Sequence, residues 1–126
     1  MTSHVHLIIG SNGDKMEDIL RDFKRHTSVH LREAIRKNAQ ESRKEWMLWL
    51  MKKAGEGNNN NNDFQFWQQH NHPIELFDNT MMLQKLNYIH NNPVEAGFVV
   101  SPEEYLYSSA RNYAGIKGLI EVMYIE

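Results

Sequence analysis

The sequence predicts an α+β domain in which helices pack on an antiparallel sheet. Two observations carry the sheet. Ser3-His4-Val5-His6-Leu7-Ile8-Ile9 is short, largely β-branched and apolar, and Gly10-Ser11-Asn12-Gly13 breaks it. Asp63-Phe64-Gln65-Phe66-Trp67-Gln68-Gln69-His70 alternates aromatic with polar residues and ends before Pro73. A third observation carries the helices: apolar residues between and after these runs recur at helical spacing.

The helices follow in chain order. Asp14 is placed to cap a helix over about 15–26, in which Met16, Ile19, Leu20 and Phe23 form one apolar face. Thr27 or Ser28 then caps a second helix to about Ala39, with Val29, Leu31 and Ile35 partly inward. Ser42-x-x-Glu45 matches a capping box for a third, ending near Lys53. Trp46, Trp49, Leu50 and Lys53 share a face there, and an aromatic stripe of this kind is more often core than a base-stacking platform. The run from Gly55 to Asn62 holds five consecutive asparagines and predicts a mobile loop. Asp78-Asn79-Thr80 supplies caps for a helix over about 80–91, with Met82, Leu83, Leu86 and Ile89 inward and Pro93 fixing its end. Ser101-Pro102-Glu103-Glu104 starts a short helix, and Leu119 to Ile125 alternates weakly as a last strand.

The chain has 126 residues, enough for one domain, and a hydrophobic fraction of 40% that is globular. It lacks cysteine, which excludes disulfides and thiolate metal sites. It has no apolar run of membrane-spanning length and no charged-then-apolar leader, so a cytoplasmic location is expected. The net charge of −2 does not advertise a nucleic-acid partner, but its distribution is uneven. Residues 14–53 carry 11 Lys/Arg against 7 Asp/Glu, and residues 54–126 carry 3 against 9, so a polyanion would meet the first half. Ordinary solvated helix faces explain the same numbers.

Chemistry enters at His4 and His6. Alternation along a strand puts both imidazoles on one face, where they can hold one divalent ion. An isolated His-x-His is more commonly two histidines on a half-exposed sheet. The pair gains weight from Tyr88 and Asn92, which lie one helical turn apart and cluster with Met81 and Lys85 beside the inward stripe. Taken alone, Tyr88 reads as a surface-shielding aromatic and Asn92 as a helix C-cap before proline. His70 and His72 form a second, weaker His-x-His next to proline, with a structural or DNA-contact role.

His4-Val5-His6, preceded by Met1-Thr2-Ser3, resembles the His-hydrophobic-His strand of the single-tyrosine transposases. Tyr88-Ile89-His90-Asn91-Asn92-Pro93-Val94-Glu95-Ala96-Gly97 resembles the tyrosine helix of the REP-associated branch of that family. Phe23-Lys24-Arg25-His26-Thr27-Ser28, Phe66-Trp67-Gln68-Gln69, and Pro102-Glu103-Glu104-Tyr105 with Ser108-Ser109 agree with it in the same order. The resemblance implies a ferredoxin- or RRM-like endonuclease fold. Family members carry a strand, a helix and another strand before the histidine strand, so this chain is expected to be N-terminally truncated. The edge of its histidine strand is then open to a second copy, and a homodimer is expected.

The resemblance also implies the chemistry, which is cleavage and joining of single-stranded or hairpin DNA. Tyr88 would attack a backbone phosphate, giving a 5′-phosphotyrosine and a free 3′-OH. A phenol is a weak nucleophile at neutral pH, and Mg²⁺ or Mn²⁺ held by His4, His6 and the Asn92 carbonyl would polarise the phosphate. Lys24, Arg25, Arg32, Arg36, Lys37 and Lys85 are the expected phosphate contacts. Two alternatives stand beside the enzyme: a catalytically inactive nucleic-acid-binding remnant of such a transposase, and a plain metal-binding or interaction module.

Overall fold

The computed structural model describes residues 3–59 and 63–125. Its elements are α1 (Met16–Lys37), α2 (Lys44–Glu56), α3 (Asn79–Glu95), a 3₁₀ turn (Pro102–Glu104) and α4 (Ala110–Tyr113). The chain divides into two compact units, one of Met1–Ile9 with Pro73–Glu126 and the other of Gly10–His72. None of the helices among the described residues is long and apolar enough to cross a membrane.

The expected α+β architecture is overturned. The described residues contain no strand, so no antiparallel sheet forms and the ferredoxin- or RRM-like arrangement is absent. Alternation makes a segment competent for a ladder, but a strand exists only when a second segment takes up its N–H and C=O groups. Here the segments at 63–70 and 119–125 bond to helical residues instead. Residues 3–9 form no regular element, leaving Val5, Leu7 and Ile9 exposed while His6 and Ile8 are half-buried.

In the unit of residues 10–72, α1 is one helix where two were expected. Thr27 and Ser28 do not cap. Their hydroxyls donate back to the carbonyls of Phe23 (2.8 Å) and Arg25 (3.0 Å), a bonding mode that leaves the helix unbroken. Ser42 does not cap α2 either. The Glu41 carboxylate accepts from the Arg43 N–H at 2.9 Å, and α2 begins one residue later.

The expected strand over 63–70 is a strap packed on these two helices. The Gln65 N–H donates to Met51 O at 2.8 Å, and Trp67 Nε1–H donates to Thr27 Oγ1 at 2.9 Å. The Arg32 guanidinium lies 4.4 Å from the centroid of the Phe64 ring, and Lys24 Nζ donates to Gln68 O at 3.0 Å. Gly55, expected in a loop, is a buried helical residue. A Cβ there would lie 2.6 Å from Phe64 Cα, so only glycine lets the strap cross α2. Of the asparagine run, residues 60–62 lie outside the described residues.

In the other unit, α3 runs through Pro93 to Glu95, past the expected end near 91. Its start is as expected, with the Asp78 carboxylate accepting from the Met81 N–H at 2.7 Å, a cap worth about 1 kcal/mol. Its end is set by Gly97, at φ +74°. The Gly97 N–H donates to Val94 O and the Phe98 N–H to Pro93 O, both at 2.9 Å, which closes a Schellman motif. Glycine at that turn, and not proline, terminates the helix. The expected helix at Ser101 is the 3₁₀ turn, whose Glu104 carboxylate accepts from the N–H groups of Val100 (2.9 Å) and Ser101 (3.1 Å). The expected last strand is held by tyrosines instead. The Ile125 N–H donates to Tyr113 Oη at 2.7 Å, and the Tyr124 hydroxyl donates to Asn112 O at 3.2 Å.

Gly55 gives a test whose sign is informative. In an unobstructed helix, Gly→Ala gains about 1 kcal/mol. Against the Phe64 backbone, Gly55→Ala should instead lower the unfolding free energy by about 1–3 kcal/mol in urea titration. A stabilised variant would show that the strap does not cross α2 at this point.

Candidate active site

The unit of residues 1–9 and 73–126 brings three of the expected site residues together. The His4 and His6 rings meet edge to face with centroids 4.9 Å apart. The His6 ring meets the Tyr88 ring edge to face at 5.7 Å. Both imidazoles therefore lie together, and His6 is the one that meets α3. Tyr88 is 52% exposed, so its hydroxyl is reachable by a large substrate.

Asn92 follows Tyr88 by one turn of α3 and is half-buried. Its Nδ2, a donor that a cation does not satisfy, is buried and has no hydrogen-bond partner among the described residues. An orphaned amide of this kind costs about 1–3 kcal/mol unless something satisfies it. Lys85 lies one turn before Tyr88 and is half-buried.

The separation of the His4 and His6 rings lies within the range one shared divalent ion allows. With metal–nitrogen bonds of about 2.1 Å, an ion shared by two imidazoles keeps their centroids within roughly 6.5 Å, and the observed separation satisfies that limit. Ser3 Oγ lies 3.2 Å from His4 Nδ1, and the tautomer that donates to it leaves the Nε2 lone pair free. Burial, and then the charge of His4, lowers the His6 pKa, so His6 stays neutral and able to ligate at neutral pH. Among the described residues, no group of three or more His, Cys, Asp or Glu converges as a metal site.

The expected phosphate contacts of the other unit are mostly engaged within it. Arg32 sits over Phe64 and Lys24 bonds the Gln68 carbonyl. Arg36 grips Glu33 through two bonds of 2.8 and 2.7 Å, Lys37 joins it at 3.1 Å, and the pair pulls the Glu33 carboxyl down to about 2. Arg25 is exposed and makes no ion pair among the described residues. His70 and His72 both take left-handed backbone, at φ 67° and 49°, with ring centroids 6.4 Å apart.

One feature of the site region was not foreseen. His90 is buried, its Nε2 shares a 2.9 Å hydrogen bond with Ser109 Oγ, and its ring meets Tyr113 edge to face at 5.2 Å. His90 lies one turn after the buried Leu86, and that spacing was the available signal. The contact ties the tyrosine helix to α4.

Comparison of the chain with protein-family models, with curated proteins and with solved structures found no match.

Burial lowers the His90 pKa from its ordinary value near 6.5, and His6 is shifted the same way. The unfolded chain then takes up protons first as the pH falls below about 6.5, so stability drops from that point downward. Thermal melts between pH 7.5 and 5.5 should show this loss, and His90→Gln should flatten part of it. A wild-type melting temperature that rises on acidification would contradict the assignment.

Proposed function

We propose that this chain is a metal-dependent single-tyrosine enzyme that cleaves and joins single-stranded DNA, of the REP-associated transposase type that its sequence resembles. The observation that carries the proposal is the meeting of His4, His6 and Tyr88 in one unit. Residues 84 apart in sequence, each expected to serve the same reaction, share one surface.

Tyr88 Oη attacks a backbone phosphorus. The Oη–P bond forms, the P–O3′ bond breaks, and the 3′ oxygen leaves as a hydroxyl after taking a proton. The phenolic proton passes to solvent, which reaches Tyr88 because the ring is half exposed. Attack by a 3′-OH on the phosphotyrosine reverses the step and joins strands, with no nucleotide consumed. His4, His6 and the Asn92 amide would hold Mg²⁺ or Mn²⁺, which when bound polarises the phosphate and offsets its developing charge. His6, kept neutral, keeps its ring against Tyr88 and so orients the phenol. Lys85 supplies a cation on the same helix.

The proposal includes the homodimer and the cytoplasmic location expected from the sequence. The exposed Val5, Leu7 and Ile9 are the surface a second copy would cover.

The test is incubation of the chain with Mn²⁺ and a labelled hairpin oligonucleotide bearing a single-stranded flank. A covalent adduct that survives denaturing electrophoresis is expected. Tyr88→Phe should abolish it, and His4→Ala or His6→Ala should reduce it at least tenfold. Light scattering on the same preparation should give the mass of a dimer. An adduct that persists in Tyr88→Phe would sink the assignment. Hairpin binding without any adduct would favour the inactive remnant.

A further inference from the structure

The outward face of α2 is unlike the other exposed surfaces. Trp46 and Trp49 leave 58% and 53% of their surfaces exposed, and Leu50 leaves 40%. These residues were expected in the core. The orientation of α2 turns them out: Gly55 must face the Phe64 backbone, Gln65 bonds Met51 O, and Met47, Leu48 and Met51 lie half-buried on that inward side. At 100° per residue, the opposite side carries Trp46, Trp49, Leu50 and Lys53 together. Lys53 Nζ lies 5.2 Å from the Trp49 ring centroid.

Two exposed indoles lose several kcal/mol relative to buried ones, so something that covers them would bind well. The position of Lys53 narrows what that is. Its helical angle falls between those of the two tryptophans, and it makes no ion pair among the described residues. A purely apolar partner would bury an unpaired ammonium there, which is costly. The occupant must therefore present flat apolar rings and negative charge at short intervals. A single DNA strand does both at every nucleotide, since each base has a π-face and each linkage a phosphate. Trp46 and Trp49 are neighbours one turn apart, suited to two bases near each other on the strand. Lys52, which is exposed, adds a second cation on the same helix.

We propose that the exposed α2 face of Trp46, Trp49 and Lys53 is a stacking platform for single-stranded DNA. The choice of DNA rests on the function proposed above. The platform would hold substrate strand by its bases without reading sequence, as stacking is sequence-tolerant.

The experiment measures binding of the intact chain to a fluorescein-labelled oligothymidylate of about twenty nucleotides in EDTA, where metal-dependent cleavage is silent. Trp46→Ala and Trp49→Ala should each weaken binding by roughly 5- to 100-fold. Lys53→Ala should reduce the slope of log K against log salt by about 0.7. Both tryptophans are exposed, so far-ultraviolet circular dichroism should stay unchanged. Wild-type affinity in both tryptophan variants would overturn the platform, as would a wild-type chain that does not bind. So would a double variant whose main change is loss of self-association in sedimentation, which would make the face an interface between copies. Adduct formation without tryptophan-dependent binding removes only the platform. Tryptophan-dependent binding without an adduct removes only the Tyr88 chemistry.

Discussion

The edge-to-face contact between His6 and Tyr88 is what the candidate site depends on. Residues 3–9 have no ladder to hold them, so their place beside α3 is not fixed by a sheet. An imidazole edge against a phenol ring contributes about 0.5–1.5 kcal/mol beyond its buried area. That is small beside the cost of ordering an extended segment. The N-terminal segment is therefore held by a few side chains. Anything that binds both histidines and a phosphate on Tyr88 at once would stabilise the arrangement by linkage.

The opposite end of the arrangement is better secured. Asp78 caps the start of α3, the Gly97 turn closes its end, and His90 ties its middle to Ser109 and Tyr113. These contacts hold Tyr88 and Asn92 on a rigid element, where a nucleophile and its neighbouring amide keep their one-turn spacing. Burial is thin elsewhere: among the described residues the buried apolar side chains are Leu86, Pro93 and Ala110. Precision in this unit comes from caps, turns and one buried imidazole more than from a large core.

The helices were legible because their signals are local. The Asp78 cap and the apolar faces of α1 and α3 need only neighbours within a turn or two. Errors came where a local signal had two uses. Thr27 and Ser28 satisfy their hydroxyls on carbonyls within the helix instead of capping a new one. Pro93 sits inside α3 because the chain needs no break until Gly97. The strands were misjudged for a different reason. Alternation at 3–9, 63–70 and 119–125 states what a segment can do, and pairing is decided by a partner segment that sequence periodicity does not reveal. The outward turn of Trp46 and Trp49 was likewise hidden, because it follows from a backbone crossing at Gly55 that no spacing rule predicts. The rings of His4 and His6 meet without a sheet to align them.

The most direct test is to titrate Mn²⁺ into the intact chain and follow paramagnetic broadening of the histidine and tyrosine ring resonances by NMR. The chain offers competing imidazole pairs, His26 with His30, stacked 4.0 Å apart, and His70 with His72. A site built on His4 and His6 beside Tyr88 predicts that the rings of His4, His6 and Tyr88 broaden first and together, at Mn²⁺ levels that leave the other pairs sharp. Earlier broadening of His26 and His30 or of His70 and His72, with Tyr88 unaffected, would contradict it.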